Sequence, residues 1–348
     1  MRGVDHGAPH CARARTTTER SGAQASEREV AVMSASTLKA PGNTVPEPQP
    51  TGRAADPHRV KAARVARALV LPAIGVSFLL TQIPFVLTIY YSLHEWNLLR
   101  PGDTPFVGLD NYRTVLGSRE FFSSLRATLF ITGGSVLLSL LLGLALAVLL
   151  NRQFRGQGLA RTLLITPFLV MPAAAALIWK WSFFDASVGM LNWVLSLVGI
   201  DRVAWNTELP LLTILVVLTW QYTPFMMLIL LAGLQSEDQE ILEAASIDGA
   251  GRVRTFRHMT LPHLRPYIEL SVLLGSIFLL QVFDPVHIMT KGTGGTKTLP
   301  YLLYERAFVG LDIGIAAAYG VVTVVCTIVV ATVALRLLFK IFSEEGAA

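Results

Sequence analysis

Six long apolar blocks, at about residues 68–93, 125–150, 163–183, 209–233, 270–289 and 315–341, decide what this chain can fold into. Each reaches the roughly 20 mostly apolar residues that a helix needs to cross a hydrocarbon core. Inside lipid only helices and closed barrels satisfy every backbone N–H and C=O. The blocks are too long and too uniformly apolar for barrel strands, which alternate over about 10 residues. An all-α fold follows: a polytopic membrane bundle of six transmembrane helices. Composition agrees, since 52% of the 348 residues are hydrophobic and 15% charged, whereas soluble domains run at about 25% charged.

The net charge is +5, from 29 basic and 24 acidic residues. Much of the basic excess borders apolar runs, as it does when it orients a membrane protein, and no basic patch points to nucleic acid. The two cysteines, Cys11 in a polar segment and Cys326 in an apolar run, exclude a disulfide framework. Residues 1–58 lack a helical apolar stripe and carry four prolines between Pro41 and Pro50, the composition of a disordered tail. The first apolar block is too long and too late for a cleaved signal peptide, and Met33 is a candidate alternative start. The membrane domain is expected over 59–348.

Orientation follows from Lys and Arg. One side of the bundle collects thirteen, crowded at the block ends around Arg59–Arg67, Arg152–Arg161, Arg252–Arg265 and Arg336–Lys340, and the other collects nine. The richer side is the cytoplasmic one. Both termini are therefore expected in the cytoplasm, together with a long connection at 234–266.

That connection carries helical signals of its own. Ser236 and Gln239 have capping-box spacing, Glu237 and Asp238 suit a first turn, and Gly249 suits the residue after a helix end. A short helix is expected over Glu237–Asp248, then a second over Arg252–Met259 that Pro262 ends.

The same stretch reads Glu243-Ala244-Ala245, three residues, Gly249, nine residues, Met259, Thr260, Leu261-Pro262. It resembles the EAA loop of binding-protein-dependent ABC importer permeases: EAA, three residues, Gly, nine residues, Ile, one residue, Leu-Pro. The spacing matches throughout, with Met259 in place of Ile. Physically, Ala244 and Ala245 leave a helix face bare, Gly249 lets a partner's backbone come close, and Glu243 offers a carboxylate to a cation. The resemblance implies that Glu243, Ala244, Ala245, Asp248, Gly249, Leu261 and Pro262 form a coupling element seated in a separate ATPase. It also implies the partners: a second, similar permease subunit, an ATP-binding-cassette ATPase dimer and an extracellular or periplasmic solute-binding protein. ATP and Mg would bind the ATPase, leaving no cofactor in this chain.

Arg161-Thr162-Leu163-Leu164 with Pro167, Pro172 and Trp179, and Phe283-Asp284-Pro285 followed by Thr290-Lys291-Gly292-Thr293-Gly294-Gly295, are similar to the carbohydrate-importing branch of that family. Leu299-Pro300-Tyr301 and Asp312-Ile313-Gly314 resemble polyol importers within it. A sugar or polyol is thus the implied solute.

A solute path needs polar and aromatic groups inside the bundle. Trp220-Gln221-Tyr222-Thr223-Pro224-Phe225 interrupts the fourth block with such groups and a proline. Aromatic faces suit sugar C–H groups and polar side chains suit hydroxyls; Trp220 and Tyr222 serve equally well as interfacial anchors or packing residues. The fifth block adds Phe278, Gln281 and Asp284, and an ionised Asp in lipid must face water or lie at an interface. Gln221, Tyr222, Phe225, Phe278, Gln281 and Asp284 are the candidate pathway residues. The small-residue stripes Ser139/Gly143/Ala147 and Gly310/Gly314/Ala318 read as helix-packing faces.

Other chemistries lack their residues. Gly292–Thr298 contains no GxxxxGK[ST], His94-Glu95 lacks the second histidine of a zinc-protease motif, and no GxSxG occurs. No catalytic or metal set emerges. The rival functions are an ion-driven secondary transporter, whose coupling carboxylates are scarce in the blocks, and a membrane scaffold.

Overall fold

The computed structural model describes residues 57–345 except positions 101 and 103. The proposed tail, with Met33, falls almost wholly outside the described residues. Contacts divide the chain after Pro72 into Met1–Pro72 and Ala73–Ala348. The described part of the first unit is the opening of the helix Pro57–Ser92.

Among the described residues five helices are long and apolar enough to span a membrane: Val70–Ser92, Arg119–Leu150, Pro210–Gln235, Arg252–Leu280 and Ile313–Val333. The bent pair Gln157–Leu169 with Pro172–Phe183, whose axes meet at 99°, is long and apolar enough when taken together to make a sixth. Among the described residues extended pairing is confined to the isolated bridges His94–Phe106 and Asn97–Asp312. The all-α membrane bundle is thus the observed architecture.

The expected third span needs correcting, because 163–183 is not one helix. Val170 and Met171 adopt extended backbone, and Pro172 opens the next helix. The residue before a proline is pushed out of the α region, and Pro172 lacks the N–H that would continue the ladder, so the chain turns there. The fifth span also differs from 270–289. It begins at Arg252, passes through a π turn at Phe256–Thr260 and ends at Leu280. Pro262 therefore lies inside a continuing helix instead of ending one: it occupies the first turn of Leu261–Leu280, where a missing N–H does little harm. Residues 281–283 leave the helix, since Pro285 has no N–H to offer the Gln281 carbonyl, and Asp284 resumes it. A second π turn, Val286–Thr290, follows.

The second and fourth spans form the central pair, and the stripe Ser139/Gly143/Ala147 is a packing surface; of the other stripe only Gly314 and Ala318 pack, because Gly310 is exposed ahead of the helix that starts at Ile313. Ser139 and Ala147 are fully buried. A Cβ on Gly143 would lie 2.9 Å from Met226 Cβ and from the Met227 backbone nitrogen. From the fifth span, a Cβ on Gly275 would collide with Met226 Cε. Met226 is buried where the three spans cross, and glycine on both neighbours makes room for it. At the sixth span, Gly314 lies under the His94 carbonyl and Ala318 is buried.

Gly143→Ala should lower the stability of the detergent-solubilised protein by about 1–3 kcal/mol through overpacking. On the same helix Gly133 faces open space, so Gly133→Ala should be neutral or stabilising by up to about 1 kcal/mol. Thermal melts of the two variants check the contrast, and equal melting temperatures would contradict the crossing geometry.

Candidate functional site

The connection between the fourth and fifth spans builds a helix at Gln239–Ile247. Its cap is Asp238, whose carboxylate accepts from the Glu240 N–H at 3.0 Å, and not Ser236 as the capping-box spacing predicts. Ser236 is held elsewhere, at the end of the fourth span, where its hydroxyl contacts the Gly233 carbonyl, His263 and Tyr267. The helix ends as expected. Gly249 has φ +78°, its N–H reaches the Ser246 carbonyl at 3.2 Å, and the Ala250 N–H reaches the Ala245 carbonyl at 3.0 Å. This is a Schellman ending, and glycine is the residue that enters it without strain.

The bare face is smaller than the sequence suggests. Ala245 turns inward and is 3% exposed, whereas Glu243, Ala244, Asp248 and Gly249 face outward. Leu261 packs with Leu234 and Leu264 between the two spans, and Pro262 is exposed. The outward surface also presents aliphatic groups that the motif does not include: Ile247 is 86% exposed and Val253 82%. Gln239, Leu242, Glu243, Ser246 and Ile247 line an open groove beside the helix. An isoleucine this open on a short capped helix, next to a carboxylate, is the profile of a surface that another protein covers.

Inside the bundle the fourth span answers the break in the third. Gln221 is 3% exposed, and its Nε2 donates to the Val170 carbonyl at 2.9 Å, one of the groups the bend leaves without a helical partner. Its Oε1 is buried with no protein partner. Beside it the aromatic candidates meet. Phe168 stacks on Phe225 with centroids 5.3 Å apart and meets Tyr222 edge-on at 6.1 Å, and Phe225 meets Phe278 edge-on at 5.6 Å. Asp284 is half-buried where the chain turns helical again ahead of Val286–Thr290, and interacts electrostatically with Tyr222. Gln281 does not join this group. It bonds the Ile277 carbonyl and lines a groove with Phe85, Tyr91 and Pro300. Phe168 is the member that sequence reasoning missed; its only signal is its place beside Pro167, just before the break.

On the opposite end of the bundle, Glu120 pairs with Lys297 at 2.9 Å and with Arg306, and Lys297 pairs with Glu305 at 2.6 Å. Burial opposes the charge on Lys297, but the hydrogen bonds to Glu305 and Glu120 outweigh it and hold the ammonium above the usual lysine range. Among the described residues no three His, Cys, Asp or Glu converge as metal ligands.

Residues 128–343 match the family of binding-protein-dependent transport system inner membrane components. This chain belongs to that family. Similar proteins include a probable ABC transporter permease from Sinorhizobium fredii, 38% identical over 78% of this chain and 88% of its own length. A trehalose transport system permease from Mycobacterium tuberculosis is 33% identical over 80% and 90%. A trehalose/maltose permease from Thermococcus litoralis is 35% identical over 77% and 91%. The fold is shared with a solved bacterial ABC transporter involved in import of the acidic polysaccharide alginate, at TM-score 0.68, covering 82% of this chain and 98% of that one. The chain is accordingly a multi-pass inner-membrane permease subunit of an ABC importer, working with a binding protein. It is not itself an enzyme, because in this family ATP is hydrolysed on a separate subunit.

In a permease of this kind the break in the third span must hold without help from lipid. Gln221→Leu removes the donor to the Val170 carbonyl and should cost about 1 kcal/mol of stability. A melting temperature in nanodiscs equal to that of the parent would show that the Val170 carbonyl needs no such partner.

Proposed function

We propose that this permease carries a sugar or polyol into the cytoplasm, driven by an ATPase dimer docked on the loop at 234–266. The transmembrane domain spans 59–348, and both termini lie in the cytoplasm with that loop, on the side richer in Lys and Arg. One observation carries the reading: the capped helix Gln239–Ile247, with Glu243 and Ile247 outward, sits on the connection between the two spans that bear Tyr222, Phe225 and Phe278. A push on the helix is thereby a push on the aromatic cluster.

ATP can bias such a machine only if the ATPase binds the two conformations of the bundle with different free energies. The loop is where this chain offers that difference. Glu243 supplies a charge for a cationic partner, and Ile247 supplies apolar area. Asp248 and Gly249 set the helix end, while Leu261 and Pro262 join the loop to the fifth span. A second permease subunit supplies the other half of the path. The first span supports this, since its apolar window buries no residue against the rest of this chain. Sugars and polyols fit the cluster because aromatic faces pack against C–H groups and the free Oε1 of Gln221 accepts from a hydroxyl. Relatives named for trehalose and maltose transport favour the sugar class.

Gly249→Asp should leave the protein inserted and abolish most ATP-driven uptake. Burying an unpaired carboxylate in a docked interface costs several kcal/mol, and each 1.4 kcal/mol is about tenfold in association. Uptake by this variant in proteoliposomes at the parental rate would contradict docking through the loop. Tyr222→Ala and Phe225→Ala should each depress uptake while ATPase association persists, and full uptake by both would remove the cluster from the path.

A further inference from the structure

The loop closes on itself at a junction outside the family motif. Ser236 ends the fourth span, and His263 and Tyr267 lie in the first turns of the helix that continues into the fifth, 27 and 31 residues later. The Ser236 hydroxyl lies 2.9 Å from the Gly233 carbonyl, 2.9 Å from Tyr267 Oη and 3.2 Å from His263 Nε2, and His263 Nε2 also lies 3.2 Å from the Gly233 carbonyl. The donors assign themselves. The carbonyl only accepts, so the Ser236 O–H and the His263 Nε2–H point to it, and the Tyr267 O–H points to the Ser236 oxygen. Gly233 is part of the arrangement, because a Cβ there would lie 2.7 Å from the Tyr267 ring.

We propose that Gly233, Ser236, His263 and Tyr267 form a pin that turns the loop into a rigid lever, so that Ser236, His263 and Tyr267 are positioning residues for energy coupling. This rests on the docking reading above. A helix joined to two spans by unpinned chain transmits force poorly, since the hinge at Ser236–Asp238 absorbs the displacement in backbone rotation. With the two loop ends bonded to each other, a shift of Gln239–Ile247 must move the fourth and fifth spans together. The pin lies outside the outward residues Glu243–Gly249, so its substitutions separate from those of the docking surface experimentally.

The test is the number of solute molecules imported per ATP hydrolysed, in proteoliposomes holding the complete transporter, together with the amount of ATPase that co-purifies. Tyr267→Phe keeps the ring against Gly233 and removes only the hydroxyl, and Ser236→Ala removes the shared oxygen. Both should retain the parental amount of ATPase and lower the transport ratio about two- to tenfold, the span that one hydrogen bond's net worth allows. Ser236→Thr, which keeps the hydroxyl at an exposed position, should restore the ratio. A parental ratio in both deletion variants overturns the pin, as does loss of ATPase in step with the ratio or a failure of Ser236→Thr to recover it. Failure of the docking reading itself looks different: the parental protein would then not retain the ATPase at all.

Discussion

Within lipid no water is available for a backbone group that a helix leaves unpaired, so every break in a span must be answered from inside the protein. This chain answers each one with a named side chain. Gln221 takes the Val170 carbonyl at the bend of the third span, and Lys180 takes the Ile288 carbonyl at 2.6 Å in the π turn after the fifth. Gln157 takes the Leu150 carbonyl at 2.7 Å where the second span ends. Thr298 takes the Val282 carbonyl, and Thr128 receives the Leu299 N–H.

The interruptions in turn mark where the bundle has work to do. The 99° bend brings Phe168 beside the fourth span and leaves Gln221 with one bonded and one free polar atom. Below it, Met226 seated between Gly143 and Gly275 ties the second, fourth and fifth spans into one close-packed crossing. Under the proposed docking, motion entering from the loop would pass to the aromatic cluster through these packed side chains, which deform little.

Much of this was legible in the sequence, and the remainder was hidden for physical reasons. Block length alone yields the all-α membrane bundle, and the acidic first turn and the glycine yield the loop helix with Gly249 at its end, because a left-handed cap favours a residue without a Cβ. The cap itself was misread. Ser236 and Asp238 are both good caps, and the choice was made by His263 and Tyr267, too distant in sequence for local reasoning. A proline can stop a helix or sit in its first turn, and only the π turn before Pro262 shows that the helix runs on. Phe168 escaped notice because an apolar residue in a uniformly apolar block carries no signal of the way it faces. Gln281 shares an apolar block with Phe278, but the helix ends at Leu280, between them.

The central claim is that a separate ATPase seats on the helix Gln239–Ile247. Its most direct test is site-directed cross-linking from Ile247→Cys, at the most exposed aliphatic position of that helix, in membranes containing the complete transporter. The account predicts a covalent adduct between this chain and the ATPase whose yield changes when ATP is added. Absence of any adduct from a variant that still imports solute at the parental rate would contradict it.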